Sequence, residues 1–486
     1  MEPEETLDPT DWESLRILGH KMLDDMLNHL RDIRKQPVWQ PIPMKVKSKF
    51  KVPLPKEGQD RETVYREFIE NILPYPLGNI HPRFWGWVVG TGTPFGMLAE
   101  MLAATMNPNV VGGEHIANYV EEQVIEWTKE MLGYDPNASG IIVSGASMAN
   151  FIGLTVARNT KTDYNVIEEG MRAGKKDLLI YGSTEIHGSI DKAIQLLGLG
   201  TKSLRKIPVN ENFEIQIEKL RESIEADIQS GHKPICIIGN AGTVNTGAID
   251  DLNLLAEIAK EYNLWFHLDA AFGIWCKLST ISHKLVEGIE KADSIAFDYH
   301  KWMYINYEAG CVLVKNKEEH LNAFNFSADY ATHHERGTSS GDIWYDYYGI
   351  QLSRGFRALK IWMSIKENGS EKYGRLIEQN IQQARYLTNL IGIEQKLEIL
   401  APTKTNIVNF RYNNGTTDLD TLNKLNKEIL FQLQEKGIAV PSNTMLNGNF
   451  AIRVAIVNHR SRKEDFELLI NSILDIAQSL EKKVII

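Results

Sequence analysis

Short apolar segments alternate with longer amphipathic ones between about residues 140 and 315, and this alternation restricts the possible folds more than any other feature of the chain. The longer segments carry apolar residues at helical spacing, as at Leu255, Ile258 and Tyr262. Strands that alternate with helices are typical of an α/β fold with a mostly parallel sheet and helices on both faces. We predict its strands at residues 140–144, 177–181, 234–239, 264–269, 294–297 and 311–315.

The segments that flank this region indicate two further units. Residues 1–90 contain two amphipathic helices and a proline-rich linker, which cannot form a core of their own. We interpret them as a helical arm that packs on another surface, such as a second subunit. Residues 91–367 then form the large domain, and residues 368–486 form a small C-terminal α+β domain.

The overall composition excludes several classes of function. A net charge of −10 argues against nucleic acid or an anionic membrane as the main partner. The three cysteines show no metal or redox spacing, and the N-terminus lacks the pattern of a signal peptide, so we expect a cytoplasmic protein. The pair His333 and His334 has no further ligand at useful spacing, so we expect no metal site.

Two of the predicted strands are followed by groups that suit a flat, anionic ligand, because ligands of such sheets bind beyond the carboxyl ends of the strands. Ala146 and Ser147 begin a helix, where free N–H groups and small side chains suit a phosphate, although a tight turn needs small residues too. Asp269 ends an apolar strand and needs a cationic partner, either a protonated ring nitrogen or an arginine such as Arg354. Ala271 leaves room for a ring to lie flat.

Three more polar residues follow strands of the same predicted sheet. His187 is suited to stack on a flat cofactor or to move a proton, and a purely structural role is the alternative. Thr243 either bonds a ring substituent or turns the chain. Lys301 follows a buried strand, where a desolvated amine can form a Schiff base, although a lysine at an exposed strand end is the simpler interpretation.

Taken together, an anion site, a carboxylate, a histidine and an amine at one edge of a sheet fit one cofactor. Pyridoxal 5'-phosphate is planar, anionic and an aldehyde, and it contains a ring nitrogen that Asp269 would keep protonated. Lys301 would bind its aldehyde.

Several motifs then resemble those of the pyridoxal-phosphate-dependent group II amino-acid decarboxylases, and in particular the type that resembles aromatic-L-amino-acid decarboxylase. They occur in the order and approximate spacing of that family, at residues 81–84, 144–150, 187, 267–271 and 300–302. The resemblance implies fold type I for pyridoxal phosphate enzymes. It also implies a homodimer with its active sites at the subunit interface.

The same resemblance implies roles for individual residues. Lys301 matches the Schiff-base lysine, Asp269 the partner of the ring nitrogen, and His187 the histidine that stacks on the ring. Ala146 and Ser147 match phosphate contacts, and His300 lies beside the lysine. Two positions depart from the family pattern: Asp298 replaces a common Asn, and Val244 replaces a second Thr after Thr243.

Tyr330 lies in a polar segment at residues 327–342, which we interpret as a mobile loop. It resembles the loop tyrosine that helps to protonate the substrate Cα after carbon dioxide leaves; a tyrosine with no role is the alternative. Related aldehyde synthases tend to carry Phe at this tyrosine or Asn at the histidine. Because Tyr330 and His187 are both present, we expect decarboxylation to the amine and carbon dioxide.

Trp85, Trp87 and Val88 occupy the segment that lines the side-chain pocket in relatives. This apolar segment favours an aromatic substrate such as tryptophan, tyrosine, phenylalanine or Dopa, because an acidic substrate requires a cation and only Arg83 is near. The alternatives are an aromatic aldehyde synthase, a decarboxylase of a non-aromatic amino acid, and a catalytically silent scaffold with the same fold.

Overall fold

The structure is a computed structural model that describes residues 4–325, 334–416 and 418–484. Its strands, in chain order, are β1 Phe84–Trp85, β2 Ser139–Val143, β3 Leu178–Ser183, β4 Leu204–Ile207, β5 Lys233–Asn240, β6 Trp265–Asp269, β7 Ser294–Asp298, β8 Gly310–Val314, β9 Leu397–Ile399, β10 Ile407–Tyr412, β11 Val440–Leu446 and β12 Asn449–Ala455.

Its α-helices are α1 Trp12–Arg31, α2 Met44–Lys49, α3 Arg61–Asn71, α4 Pro94–Met106, α5 Ile116–Leu132, α6 Ala146–Lys161, α7 Val166–Glu169, α8 Gly188–Leu196, α9 Ile217–Gln229, α10 Leu252–Glu261, α11 Lys317–Phe324, α12 Arg357–Ile393, α13 Leu419–Glu435 and α14 Lys463–Val484. None of the described helices is long and apolar enough to cross a membrane.

A seven-stranded sheet forms the centre of the large domain, with strand order β2-β8-β7-β6-β5-β3-β4. Strand β8 is antiparallel to β2 and to β7, whereas β7, β6, β5, β3 and β4 are parallel to one another. Every residue of β6 and β7 is buried, as expected for strands that helices cover on both faces. The predicted α/β class, with a mostly parallel central sheet, is confirmed.

A second sheet, with order β1-β11-β12-β10-β9, forms the small domain around a separate apolar core. Strand β1 comes from the first 90 residues and pairs in parallel with β11, with Phe84 opposite Val440. Helix α12 connects the two domains and breaks at Gly369, where φ is 69° and ψ is 155°. The domain boundary between residues 367 and 368 stays a prediction.

The sheet topology brings three chain segments to one edge of the large sheet. Strands β2, β6 and β7 run in the same direction, so their carboxyl ends meet at that edge. Helix α6 begins there at Ala146, directly after β2, while Asp269 and Asp298 are the last residues of β6 and β7. The candidate site lies at this edge.

Candidate active site

Two cavities adjoin at the carboxyl edge of the sheet. The first has a volume of about 420 Å³ and the second about 300 Å³, and they share His187, Asp269, Ala271 and Lys301. The first cavity is also lined by the predicted residues Ala146, Ser147, Asp298 and His300. The second cavity is also lined by the predicted residues Trp87, Val88 and Thr243.

One predicted residue, Trp85, does not line either cavity. Trp85 lies instead in the core of the small domain, where it has no exposed surface, stacks on Phe466 with ring centroids 4.9 Å apart, and donates its indole N–H to Ser461 Oγ. The pairing of β1 with β11 directs it there, which corrects the expectation that Trp85 lines the pocket. Tyr330 lies outside the described residues.

Asp298 connects the start of α6 to the lysine. Its Oδ1 accepts a hydrogen bond of 2.7 Å from the Ala146 amide, and its Oδ2 lies 2.9 Å from Lys301 Nζ. The carboxylate therefore caps the helix end that we predicted as a phosphate site. Within the described part of the chain the Ser147 amide and hydroxyl donate to no protein acceptor, so both remain available to a ligand.

The backbone around Lys301 is held by close packing. A Cβ atom at Gly90 would lie 1.9 Å from the carbonyl oxygen of His300, so only glycine permits this approach. The His300 ring lies 4.3 Å from the ring of Tyr307, and its Nδ1 lies 2.9 Å from the carbonyl oxygen of Ala309. Burial lowers the pKa of His300, so its imidazole is neutral at neutral pH.

Asp269 provides a buried carboxylate between the two cavities. Its oxygens accept hydrogen bonds from the Asn150 side-chain amide at 3.0 Å and from the Ala271 backbone at 3.3 Å. Burial raises the pKa of Asp269, and the nearby His187 and Lys301 act in the opposite direction. A cationic ligand would stabilise the ionised form of a carboxylate in this position. The alternative partner, Arg354, is buried beside Glu121.

A chain of side-chain hydrogen bonds fixes the orientation of Asn150. Its Oδ1 lies 2.9 Å from His267 Nε2, and its amide nitrogen faces Asp269. His267 Nε2 must therefore carry the proton, and its Nδ1 accepts from Ser294 Oγ at 2.7 Å. Burial lowers the pKa of His267 to about 3, so this ring stays neutral and the chain of bonds keeps one direction.

His187 is fixed in one tautomer by Ser189. The Ser189 amide, which can only donate, lies 3.2 Å from His187 Nδ1, and the Ser189 hydroxyl lies 2.9 Å from the same atom. Asn150 donates to that hydroxyl at 3.2 Å. Nδ1 of His187 is thus an acceptor, and the proton of the neutral ring is on Nε2.

The second cavity is mainly apolar. Trp87, Val88, Val244 and Phe272 form its walls. The Thr243 hydroxyl accepts a bond of 3.1 Å from the Ala248 amide, so this side chain turns the chain as well as lining the cavity.

Sequence reasoning missed several residues of the site. Asn150, Ser189, Tyr307 and Glu308 line the first cavity, and Phe272 lines the second. Asn150 lies one helical turn after Ala146, so helical spacing from the predicted phosphate site was an available signal. No comparable local signal marks the others.

The donor set fits pyridoxal phosphate. The buried carboxylate of Asp269 suits a protonated ring nitrogen, and the unbonded donors of Ser147 at the start of α6 suit a phosphate. Lys301 lies in both cavities, where it can reach an aldehyde carbon as well as a substrate. Ala271 has a small side chain on the same surface.

Comparisons with known proteins agree with this chemistry. The pyridoxal-dependent decarboxylase conserved domain matches residues 43–413. The chain is 31% identical over 472 residues to aromatic-L-amino-acid decarboxylase of Bacillus atrophaeus, with 96% of each chain covered. It is 27% identical over 495 residues to phenylacetaldehyde synthase of a Rosa hybrid cultivar, which covers 98% of this chain and 95% of that relative.

The solved structure of Oryza sativa TDC with PLP and tryptamine has the same fold. The TM-score is 0.88 at 20% sequence identity, and the match covers 98% of this chain and 100% of that one. The predicted fold type I, cofactor and enzyme class are thereby confirmed. Because the domain match covers most of the chain and the site suits the same cofactor, the chain belongs to the family of pyridoxal-phosphate-dependent amino-acid decarboxylases.

Proposed function

We propose that the protein removes the α-carboxylate of an aromatic L-amino acid and releases carbon dioxide and the corresponding amine. The second cavity carries this proposal, because its walls are Trp87, Val88, Val244 and Phe272. Among its described lining residues Lys301 is the only lysine or arginine, and the proposed mechanism gives Lys301 another task. An acidic side chain would lack a partner there, whereas an aromatic ring would bury apolar surface.

The relatives support the same substrate class. Similar proteins include aromatic-L-amino-acid decarboxylase of Bacillus atrophaeus, tyrosine decarboxylase 4 of Petroselinum crispum and tryptophan decarboxylase 2 of Oryza sativa, at 31%, 28% and 28% identity. The members of this class are tryptophan, tyrosine, phenylalanine and Dopa.

Bound pyridoxal phosphate supplies an aldehyde for an amine and a protonated ring that takes up the electron pair left when carbon dioxide departs. Asp269 would hold the proton on the ring nitrogen, and Ala271 would leave space beside the ring. Ser147 would donate to the phosphate, with Ala146 and His300 nearby. Lys301 Nζ would bind the cofactor and would give way to the substrate amine.

His187 and the cavity walls would orient the substrate. With Nδ1 occupied by Ser189, the neutral ring can only donate from Nε2, which suits an anionic oxygen rather than another donor. The apolar walls would exclude water around the carboxylate that leaves. Tyr330 would then deliver a proton to Cα, with Lys301 Nζ as the second source.

Product analysis tests this proposal against the aldehyde synthase alternative, which the phenylacetaldehyde synthase relative keeps open. The purified protein with pyridoxal phosphate is incubated with each of the four aromatic amino acids, with glutamate and with the remaining amino acids. Carbon dioxide, amine, aldehyde and peroxide are measured together. Amine equal to carbon dioxide supports the proposal, whereas stoichiometric peroxide and aldehyde would replace it with oxidative deamination and decarboxylation.

Two variants sharpen the test. Tyr330→Phe removes the proposed proton donor, so we expect aldehyde to replace part of the amine. Lys301→Ala should lose both carbon dioxide release and the visible absorbance band of the lysine-bound cofactor. A wild-type protein without that band would favour a catalytically silent scaffold. Carbon dioxide from glutamate alone would favour the non-aromatic alternative.

We also propose that the protein is a homodimer. Helix α1 has 20 residues and Leu18 is its buried residue, while Trp12, Ile17 and Met22 are 61%, 65% and 41% exposed. Large apolar side chains exposed at several points around one helix are typical of a surface that another subunit covers. Light scattering should give twice the chain mass, and Ile17→Asp should lower it; a monomeric wild type would contradict the proposal.

A cytoplasmic location remains our proposal as well. Cys236, Cys276 and Cys311 are all free and buried, which suits a reducing compartment. Localisation of a tagged chain by microscopy or fractionation tests this.

A further inference from the structure

Arg453 is a charged residue in the middle of an apolar strand. It lies in β12, between Ile452 and Val454, and only 3% of its surface is exposed. A guanidinium buried to this degree requires several hydrogen-bond acceptors. The partners of Arg453 therefore indicate why a cation is present in the core of this domain.

Its partners belong to two segments that line the second cavity. Nη1 donates to the carbonyl oxygen of Trp87 at 2.8 Å, and Nε donates to that of Asn245 at 3.0 Å. Nη2 donates to the carbonyl oxygen of Val244. Trp87 and Val244 are both cavity walls, so one planar group connects two walls that are far apart in sequence.

The charge of Arg453 is compensated by these carbonyl groups. In the described part of the chain its hydrogen-bond partners are three carbonyl oxygens and the Ser442 hydroxyl, at 3.1 Å. Burial lowers the pKa of Arg453 to about 10, so the side chain stays charged at neutral pH. Without it, three carbonyl oxygens would lose a charged donor.

The Trp87 segment depends on this support. Trp87 has a φ of 51°, a left-handed backbone conformation that residues other than glycine rarely adopt. Its amide donates to Ser442 Oγ at 3.1 Å while its carbonyl accepts from Arg453. Both ends of this residue are thus fixed by the small domain, and the side chain lines the cavity.

We propose that Arg453 is a positioning residue that sets the distance between the Trp87 and Val244 walls and thereby selects the size of the substrate side chain. The selection of substrate rests on the proposed function, whereas the connection between the walls does not. A connection from the small domain to both walls also means that the two domains define the cavity jointly.

Hydrogen exchange without substrate tests whether Arg453 connects the Trp87 and Val244 walls. Arg453→Met removes every donor, and Arg453→Lys keeps the charge but cannot reach both walls. We expect backbone exchange in residues 84–90 and 242–247 to rise about tenfold in both variants. The control is Arg411→Met, because Arg411 bonds Glu398 and Asn449 in the same sheet and neither lines the cavity. Exchange in those two segments should stay at the wild-type rate in the control.

Kinetics with the cofactor-loaded enzyme test whether Arg453 selects the size of the substrate side chain. For the preferred aromatic substrate we expect KM to rise about tenfold in Arg453→Lys while kcat stays within about threefold. The kcat/KM for tryptophan divided by that for phenylalanine should change about tenfold in the direction of 1, which means that the preference for one side-chain size weakens. An equal fall of kcat for all substrates would indicate a purely structural effect and would overturn the proposal.

The outcomes separate this inference from the proposed function. If the wild type releases no carbon dioxide from any aromatic amino acid, the proposed function fails, and the exchange rates still decide whether Arg453 connects the walls. Wild-type exchange in both segments of the variants would refute that connection. If neither variant folds, as judged by circular dichroism, Arg453 is a folding residue and the proposal is wrong.

Discussion

Asn150 offers the sharpest test of how the buried carboxylate is held. It has no exposed surface, donates to Asp269 at 3.0 Å, and accepts from His267 at 2.9 Å. Asn150→Ala removes the hydrogen bond to the carboxylate, and the loss of a bond to a charged partner lowers the free energy of unfolding by about 1.5–3 kcal/mol. The His267 N–H also loses its acceptor. Because this donor is buried and cannot bond to water instead, its loss lowers the free energy of unfolding by about a further 1–3 kcal/mol. The lower ends of these two ranges add to about 2.5 kcal/mol, so we expect a total destabilisation of about 3 kcal/mol or more.

Two measurements test the expected destabilisation of Asn150→Ala. The melting temperature of the cofactor-free protein should fall by about 5 °C, given the size of the large domain. The dissociation constant for pyridoxal phosphate should rise about 10- to 100-fold, because Asp269 is no longer held in one orientation and each factor of ten corresponds to about 1.4 kcal/mol. Titration of the cofactor-free protein, followed by the absorbance of the bound cofactor, gives this constant directly.

A matched control separates this effect from general destabilisation. Asn406 is also fully buried and donates one bond of 3.0 Å to the Ile456 carbonyl, but it belongs to the small domain. Asn406→Ala should lower the melting temperature and leave cofactor affinity unchanged. If Asn150→Ala binds the cofactor as tightly as the wild type, then Asn150 does not orient Asp269 and the reasoning is refuted.

Three further predictions concern charge. Asp298→Asn keeps an acceptor for the helix end and removes a negative charge beside the expected phosphate, so cofactor titration should show about tenfold tighter binding; weaker binding would contradict this. Glu121→Gln leaves the buried Arg354 unpaired, which should cost about 3–5 kcal/mol and lower the melting temperature by several degrees, whereas Glu371→Gln in an exposed pair should change it little. Burial lowers the pKa of His267 from 6.5 to about 3, so its contribution to stability is complete above pH 6.5 and is lost as the pH falls toward 3; melting curves from pH 7 to pH 4 should show this loss, and a flat profile would exclude it.

The large sheet could be predicted from the sequence because its strands are continuous apolar runs. Six of its seven strands were located within a few residues. Strand β4, Leu204–Ile207, was missed because it lies at the edge of the sheet and has Arg205 and Lys206 at its centre. An edge strand is covered less completely, so its sequence lacks the apolar run that marks a buried strand.

The residues of the site were predictable where the chemistry demands an unusual residue type at a strand end. A lysine, a carboxylate and a histidine after buried strands meet because parallel strands end at the same edge. Trp85 was misplaced for a different reason. Its partner strand β11 is more than 300 residues away in the chain, and a two-residue strand such as β1 carries no pattern that could reveal this pairing.

Asn150 and Arg453 show what the sequence can still predict about contacts between distant segments. Each is a polar residue within a run of buried apolar ones, next to Ala149 in α6 and next to Ile452 in β12. Since a buried polar group must be compensated, each of them predicts a partner at close range. The identity of that partner is not encoded locally, because Asp269 is 119 residues from Asn150 and Trp87 is 366 residues from Arg453. A buried polar side chain in an apolar run therefore indicates that two distant segments meet, and only the fold determines which ones.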